Sequence, residues 1–495
     1  MAIFIVPMSR QLLFCIAFLF STSALVHGQS VQWMPFNSNY KGSFQHKVLG
    51  ADRSGYYVYT SSGRERAIEK FSYTGNPLYS HKIPLEDRNI EIEDLVVNKN
   101  EAVVFFSIYS GTLRKHGLFY MVLPHAGEAG KPTVLYDQDD ISGRSRSNFK
   151  IVAKDDLSGY SMVHVNESAS ENMALDIRFA DAAMRVEQQT RLFLPLDKQR
   201  YELRKLMHDP QNNLLLWLQV TDKEKRTNDP TKFYYKLLYI NRSTLALQEA
   251  TLRDTVFFFN SVQPVVDYAN NKVRVSGFFS ERDRYQMAGA LHATLSLNPL
   301  QLDSIGFSRF DLEFKSRLQG SRSAKREKEL ADYFIRDLAV RSDGGTLLVA
   351  ESNYETTQTY VQYSQGFPVY REIIYYHYDE IVVLSMNPDG TIDWRQIIPK
   401  AQVTTQPSPY TSFVSFVTDK HLNLVYNEEG RSKNAVLLYR INNQGDVLPR
   451  VILSPESDDA AILQPDAAVV TPTTLLIPAV KRKKKGIFRL TFELL

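Results

Sequence analysis

Arg336-Asp-Leu-Ala-Val-Arg-Ser-Asp-Gly-Gly-Thr-Leu-Leu-Val-Ala-Glu351 is two apolar runs parted by a polar turn that carries the glycines. Further on, Ile381-Val-Val-Leu-Ser-Met-Asn-Pro-Asp-Gly-Thr-Ile-Asp-Trp-Arg-Gln-Ile-Ile-Pro-Lys400 has the same form, and its second run alternates. Read together, the two stretches predict four antiparallel strands in sequence. Glycine, Asn and Asp sit at the turns because hairpins put residues at positive φ. Working outward, the turn-then-strand unit recurs. Asp52 to Gly55 leads into Tyr56-Tyr-Val-Tyr59, Asn98 to Asn100 into Val103-Val-Phe-Phe106, and Asp155 to Gly159 into Tyr160-Ser-Met-Val163. Asp209 to Asn213 leads into Leu214-Leu-Leu-Trp217, and further copies start at Asn270, Asp343, Asp419 and Thr471.

Eight such units, spaced by roughly 45–75 residues, mark a repeat architecture, and four-stranded blades have about this period. The expectation is an all-β fold, a β-propeller of eight four-stranded blades, or seven if one unit is misdrawn. Within a unit the first strand precedes the turn (Phe149 to Val152) and the second is the apolar run after it. The third is aromatic (Phe233 to Ile240), and the fourth alternates as a half-exposed outer strand should (Thr391 to Ile398). A second turn, as in Tyr73-Thr-Gly75-Asn-Pro77, Asn241-Arg-Ser243 or Asn442-Asn-Gln-Gly445, opens that fourth strand. The last unit has strands near 461–463, 474–477 and 487–494 and no fourth. Val31-Gln-Trp-Met-Pro-Phe36 belongs to no unit, so pairing it onto the last blade would close the ring and remove the open edge. Residues 29–495 are therefore expected to form one propeller domain.

Two insertions break the rhythm. Asp311 to Phe334 has a helical cast: Asp311 caps, Gly320 breaks, and Ser323 starts a second helix through Ala331. Phe314, Leu318, Leu330 and Phe334 would pack it on the ring. Asn353 to Asp379 is rich in tyrosine: Tyr354, Tyr360, Tyr363, Tyr370, Tyr375, Tyr376 and Tyr378. Tyrosine offers apolar area and a hydroxyl at low entropic cost, so Tyr360, Tyr363, Tyr370, Tyr375, Tyr376 and Tyr378 are the candidate ligand-binding residues. The alternative is a long hairpin using them as ordinary strand residues.

Met1 to Gly28 reads as a cleaved signal peptide, with Arg10, an apolar core from Leu12 to Phe20, and the small residues Ser21 to Ala24 and Gly28. That core is too short for a transmembrane span. The only cysteine, Cys15, lies inside it. An exported chain without disulfides suits the periplasm or exterior of a Gram-negative bacterium. The remainder carries a net charge near +2, too balanced for general nucleic-acid binding.

No catalytic constellation is found, and no metal or cofactor is expected. Nine histidines follow the leader without a zinc-ligand spacing, and neither His-Glu-x-x-His nor Gly-x-Ser-x-Gly occurs. Asp137 to Gly143 lacks the later carboxylates of a calcium loop. Glu91, Glu93 and Asp94, or Asp379 and Glu380, are neighbouring carboxylates of the kind a glycosidase uses. Lys481 to Lys485, the densest charge run, reads as a solvated hairpin tip or a contact for an anionic envelope polymer.

On the two stretches first quoted, the chain resembles β-propeller proteins, and in particular secreted propellers of Bacteroidetes-type bacteria. Asp389-Gly390-x-x-x-Trp394 is similar to one repeat of the quinone-dependent dehydrogenase propellers. Those carry it in most blades, whereas this chain has three tryptophans in all. The resemblance implies a fold and no activity. The expected function is a binding or scaffold module for an envelope protein or glycan, and the alternative is a carbohydrate-active enzyme with its site at the central channel.

Overall fold

The computed structural model describes residues 29–35 and 45–492, less 53, 63–64, 84–89, 98–100, 111–114, 125–129, 139–147, 155–156, 167–171, 327, 365–366, 407, 409, 419, 429–434, 454–460, 464–467, 472 and 482–483. The expected signal peptide and Phe36 lie outside these residues, as does most of the Asp137 to Gly143 loop.

Eight antiparallel sheets follow one another along the chain, each built from strands in sequence order. Blades 1 to 7 run Gln45–Lys82, Ile90–Gln138, Asn148–Pro195, Gln199–Leu252, Phe258–Arg309, Tyr333–Ile398 and Phe413–Leu453. Blade 8 takes its first three strands from Ala461 to Phe492, the first being split into Ala461–Leu463 and Ala468–Thr471. Its fourth strand is Gln29–Pro35, antiparallel to Lys484–Phe492 with Val31 opposite Leu490 and Trp33 opposite Phe488. First strands touch between blades 1 and 2, 2 and 3, 3 and 4, 5 and 6, and 8 and 1, so they surround the axis. The fold is an eight-bladed β-propeller.

The strand patterns follow from that arrangement. Second strands such as Gly159–Asn166 are buried on both faces, because each blade is covered by two neighbours. That is why they read as unbroken apolar runs rather than alternating ones. Fourth strands such as Val186–Pro195 are outermost and alternate between exposed and half-buried. Among the described residues the buried apolar side chains fall into eight clusters, one between each pair of neighbouring blades. The cluster joining blade 8 to blade 1 holds Met34, Tyr56, Phe71, Leu476 and Ile487.

The recurrent second turn locks blade to blade. In blade 6, Gly390 (φ +89°) lies against Gly306 in the fourth strand of blade 5, where a Cβ on Gly390 would come 2.6 Å from the Gly306 Cα. Ser308 Oγ donates to the Gly390 carbonyl at 2.8 Å. The turn of blade 7 repeats this on blade 6: Gln396 Nε2 donates to the Gly445 carbonyl at 2.8 Å and Trp394 Nε1 to the Asn443 carbonyl at 2.9 Å. Trp394 of the dehydrogenase-like motif is thus a joint between blades. The turn of blade 1 meets Met34 in the same way, with Gly75 against its Cβ.

The first insertion departs from expectation in two places. Leu312–Gln319 is helical, capped by Asp311, which accepts from the Phe314 N–H at 2.8 Å, and it ends at Gly320. The second helix is only Ser321–Lys325 and does not reach Ala331. Leu330–Ala331 pairs instead as a strand with Gln286–Met287, because that register buries Leu330 beside Met287. Phe314 and Leu330 are buried and Leu318 packs against them, but Phe334 is 47% exposed. It belongs to the first strand of blade 6, and so faces a cleft instead of fastening the helices.

Candidate functional site

Strand alternation sorts the connections. A blade's first strand begins, and its fourth ends, on the face of the ring where its second and third strands are joined. The helical insertion, the Gln286–Met287 ribbon and the tyrosine-rich segment therefore share one face. Lys481 and Lys484, which end the second and begin the third strand of blade 8, lie there too.

The tyrosine-rich segment is a hairpin, formed by the overgrown second and third strands of blade 6, Thr346–Ser364 and Phe367–Met386. Beyond a bulge at Glu351/Asn353 the pairing is regular from Asn353–Tyr378 to Ser364–Phe367. At about 3.4 Å per residue it reaches roughly 40 Å. Directly opposed residues share a face, so the register divides the tyrosines. Tyr354, Tyr360 and Tyr375 lie on one side; Tyr363, Tyr370, Tyr376 and Tyr378 lie on the other. Tyr363 and Tyr370 are 73% and 70% exposed near the tip, and Tyr360 is exposed further down. Tyr375, Tyr376 and Tyr378 are half-buried toward the root. The sequence reading passed over Phe367, 74% exposed at the tip, and the exposed Val361, Val369 and Ile374. No tyrosine count would have found them, since only the register puts them beside the tyrosines.

The root is stiff. Gln402–Thr404 adds a strand against Tyr376–Tyr378. Tyr354 stacks on His377 at 4.5 Å and donates to Asp379 at 2.8 Å, and burial with that carboxylate pushes its phenol up to about 12. Beneath lies an ion-pair network: Glu351 meets Lys400 at 3.0 Å, both with fully buried side chains. The other oxygen of Glu351 accepts from Arg336 at 2.8–2.9 Å and from Ser412 Oγ at 2.8 Å. Lys400 also donates to the Tyr378 carbonyl and to Gln402 Oε1. Burial lowers its pKa.

On the same face a cleft of about 380 Å³ opens between blades 4, 5 and 6. Its walls are Phe233, Phe259, Phe334 and the stacked pair Trp217–Tyr235 (5.0 Å), with Arg204, Lys205 and Arg284 among them. One wall is the bulge at Ser261–Val262 in the first strand of blade 5. It fits because Gly277 lies opposite, where a Cβ would come 2.8 Å from the Val262 Cα. Lys205 also lines a cavity of about 230 Å³ along the first strands of blades 3 to 5. Desolvation by the strands packed around its ammonium lowers its pKa. The sequence marked none of these residues as part of a site, and of them it singled out only Phe334, as a packing residue. On the opposite face a cleft of about 440 Å³ lies between blades 6 and 7, where Arg341 is already paired with Asp343 and Asp393.

The candidate acids lie elsewhere. Glu93 accepts from Ser107 Oγ at 2.5 Å, and Asp94 from the Leu95 N–H at 2.8 Å. Burial raises both. Asp379 is bonded to Tyr354 at the hairpin root. Among the described residues no carboxylate lines the two cavities that share Lys205. Burial lowers His116 and His292 to about 4, so both are neutral near pH 7. Among the described residues no three His, Asp or Glu gather as a metal site, and no helix is long and apolar enough to cross a membrane.

No protein-family description matches the chain, and no curated protein does. Solved structures do. Prolyl oligopeptidase B from Galerina marginata is 8% identical over 89% of this chain and 56% of its own, with a TM-score of 0.42. An uncharacterised protein of Listeria monocytogenes is 8% identical over 80% of this chain and 93% of its own, at 0.38. The β-propeller domain of the Trilobed protease from Pyrococcus furiosus is 8% identical over 82% and 94%, at 0.36. The chain spans about half the length of the prolyl endopeptidases it matches. At such scores the fold rests on the strand pairing itself.

Proposed function

We propose that this propeller is a binding module of the bacterial envelope, and that the blade 6 hairpin is its recognition element for an envelope protein or glycan. The observation that supports this is the exposed tip: Tyr363, Phe367 and Tyr370 stand in solvent on a hairpin braced at its root by a third strand and buried ion pairs. Loops and hairpins on a rigid scaffold are where binding tends to reside. A cluster of exposed aromatics marks an interaction surface. The glycosidase reading has less support, since two-carboxylate chemistry finds no seat in the cavities around Lys205.

Replacing Tyr360, Tyr363 and Tyr370 by Ala should shift the melting temperature by only a few degrees, because these side chains are exposed. Each could carry about 1–2 kcal/mol of binding. Pull-down from envelope extract and a glycan array, run with parent and variant, read the loss. A variant that captures every ligand as the parent does would return the hairpin to a structural role. Export by the 1–28 leader is part of the same reading. The native product should then begin at Gln29, and an intact mass that retains the leader would refute it.

A further inference from the structure

We propose that the cleft between blades 4, 5 and 6 binds a sugar carboxylate, such as a uronate residue. Charge is the first reason. Lys205 donates to the Pro264 carbonyl at 3.0 Å, and Arg284 stacks over Phe233 at 4.1 Å; among the described residues neither is paired with a carboxylate. Arg204 shares its charge with Glu202 at 2.8 Å, but no Asp or Glu among the described residues lines the cleft. Asp337, whose charge reaches Lys205, is bonded to Ser415 Oγ at 2.6 Å and lies outside the lining. Two cations without acids in a concave site favour an anion, and a guanidinium's fork suits a carboxylate.

The shape of the remaining chemistry selects the body of that anion. Phe334, 47% exposed, offers an aromatic face, which a small inorganic ion would leave unused. Three amides are engaged at one end and, among the described residues, have the other to spare. Gln219 accepts from Arg204, Asn260 donates to the Gln286 carbonyl, and Gln263 donates to the Ile335 carbonyl. Trp217 Nε1 is buried among the same residues without a partner. Spare donors and acceptors beside an aromatic face match several hydroxyls on a ring and mismatch an aliphatic acid. A volume near 380 Å³ is at the small end of ligand sites and takes one or two sugar rings.

The inference does not depend on the hairpin, and either reading can fail alone. Calorimetric titration of the full chain with methyl glucuronide, methyl glucoside, inorganic phosphate and acetyl-glycyl-phenylalanine tests it. Glucuronide should bind about tenfold or more tighter than its neutral twin and than the other two probes. Arg284→Gln and Lys205→Met should each weaken it by about tenfold with melting unchanged, and Arg284→Lys should recover part of the loss. Arg185→Gln, on the opposite face, should change nothing. Equal affinity for glucuronide and glucoside, binding of neither, tighter binding of phosphate or peptide, or folded variants that bind as the parent would overturn it. The glucuronide-to-glucoside comparison needs no variant to fold.

Discussion

Removing Val31 to Pro35 is expected to give a protein that melts many degrees lower and aggregates. Gln29–Pro35 is the outer strand of blade 8, so its loss strips the ladder from Lys484–Phe492 and exposes a sheet edge. It also removes Met34, which is fully buried between blades 8 and 1, and Trp33, whose ring lies 4.9 Å from Phe488. Met34→Ala alone should cost about 2–5 kcal/mol, the usual range for a buried large-to-small change. The deletion should cost more, because the turn of blade 1 docks on the same strand. Thermal melts and light scattering check this. A deletion variant that melts with the parent would show that the ring does not need this strand.

The second large effect is expected at the hairpin root. Glu351→Ala leaves the Lys400 ammonium in a site without solvent, and breaking a buried pair from one side costs about 3–5 kcal/mol. Lys400→Met should cost less, since Arg336 and Ser412 still hold the carboxylate. The double variant Glu351→Ala with Lys400→Met should be more stable than Glu351→Ala, because no unpaired buried charge remains beyond Arg336, which is 36% exposed. Denaturant titration of the three proteins reads the coupling. Additive losses would mean that the two groups do not act as a pair. Because Lys400 also bonds the Tyr378 carbonyl, the single variants should loosen the hairpin as well, seen as faster amide exchange between Asn353 and Tyr378.

The candidate site was legible only in part. Composition pointed to 353–379, since seven tyrosines in one segment need no tertiary information to notice. Their division between two sides depends on the bulge at Glu351/Asn353 and the hairpin register, which set every residue beyond to one face or the other. Phe334 shows a different limit. Its spacing from Phe314 and Leu330 suited a helix, but strand pairing with Gln286–Met287 ended the helical stretch and left Phe334 to the cleft. Arg204 and Lys205 are neighbours in blade 4, but Arg284 comes from blade 5, and nothing local separates the three from the other basic residues.

The sequence by itself determined the repeat, the strand order within a blade, and the tight turns. All three rest on chemistry that acts over a few residues: positive φ at Gly75, Gly390 and Gly445, and burial of both faces of each second strand. Tertiary structure alone decided which face carries the insertions, which tyrosines share a side, and which cations meet without acids. Those outcomes depend on closing eight blades into a ring, where residues remote in the chain become neighbours, and no local preference encodes that adjacency.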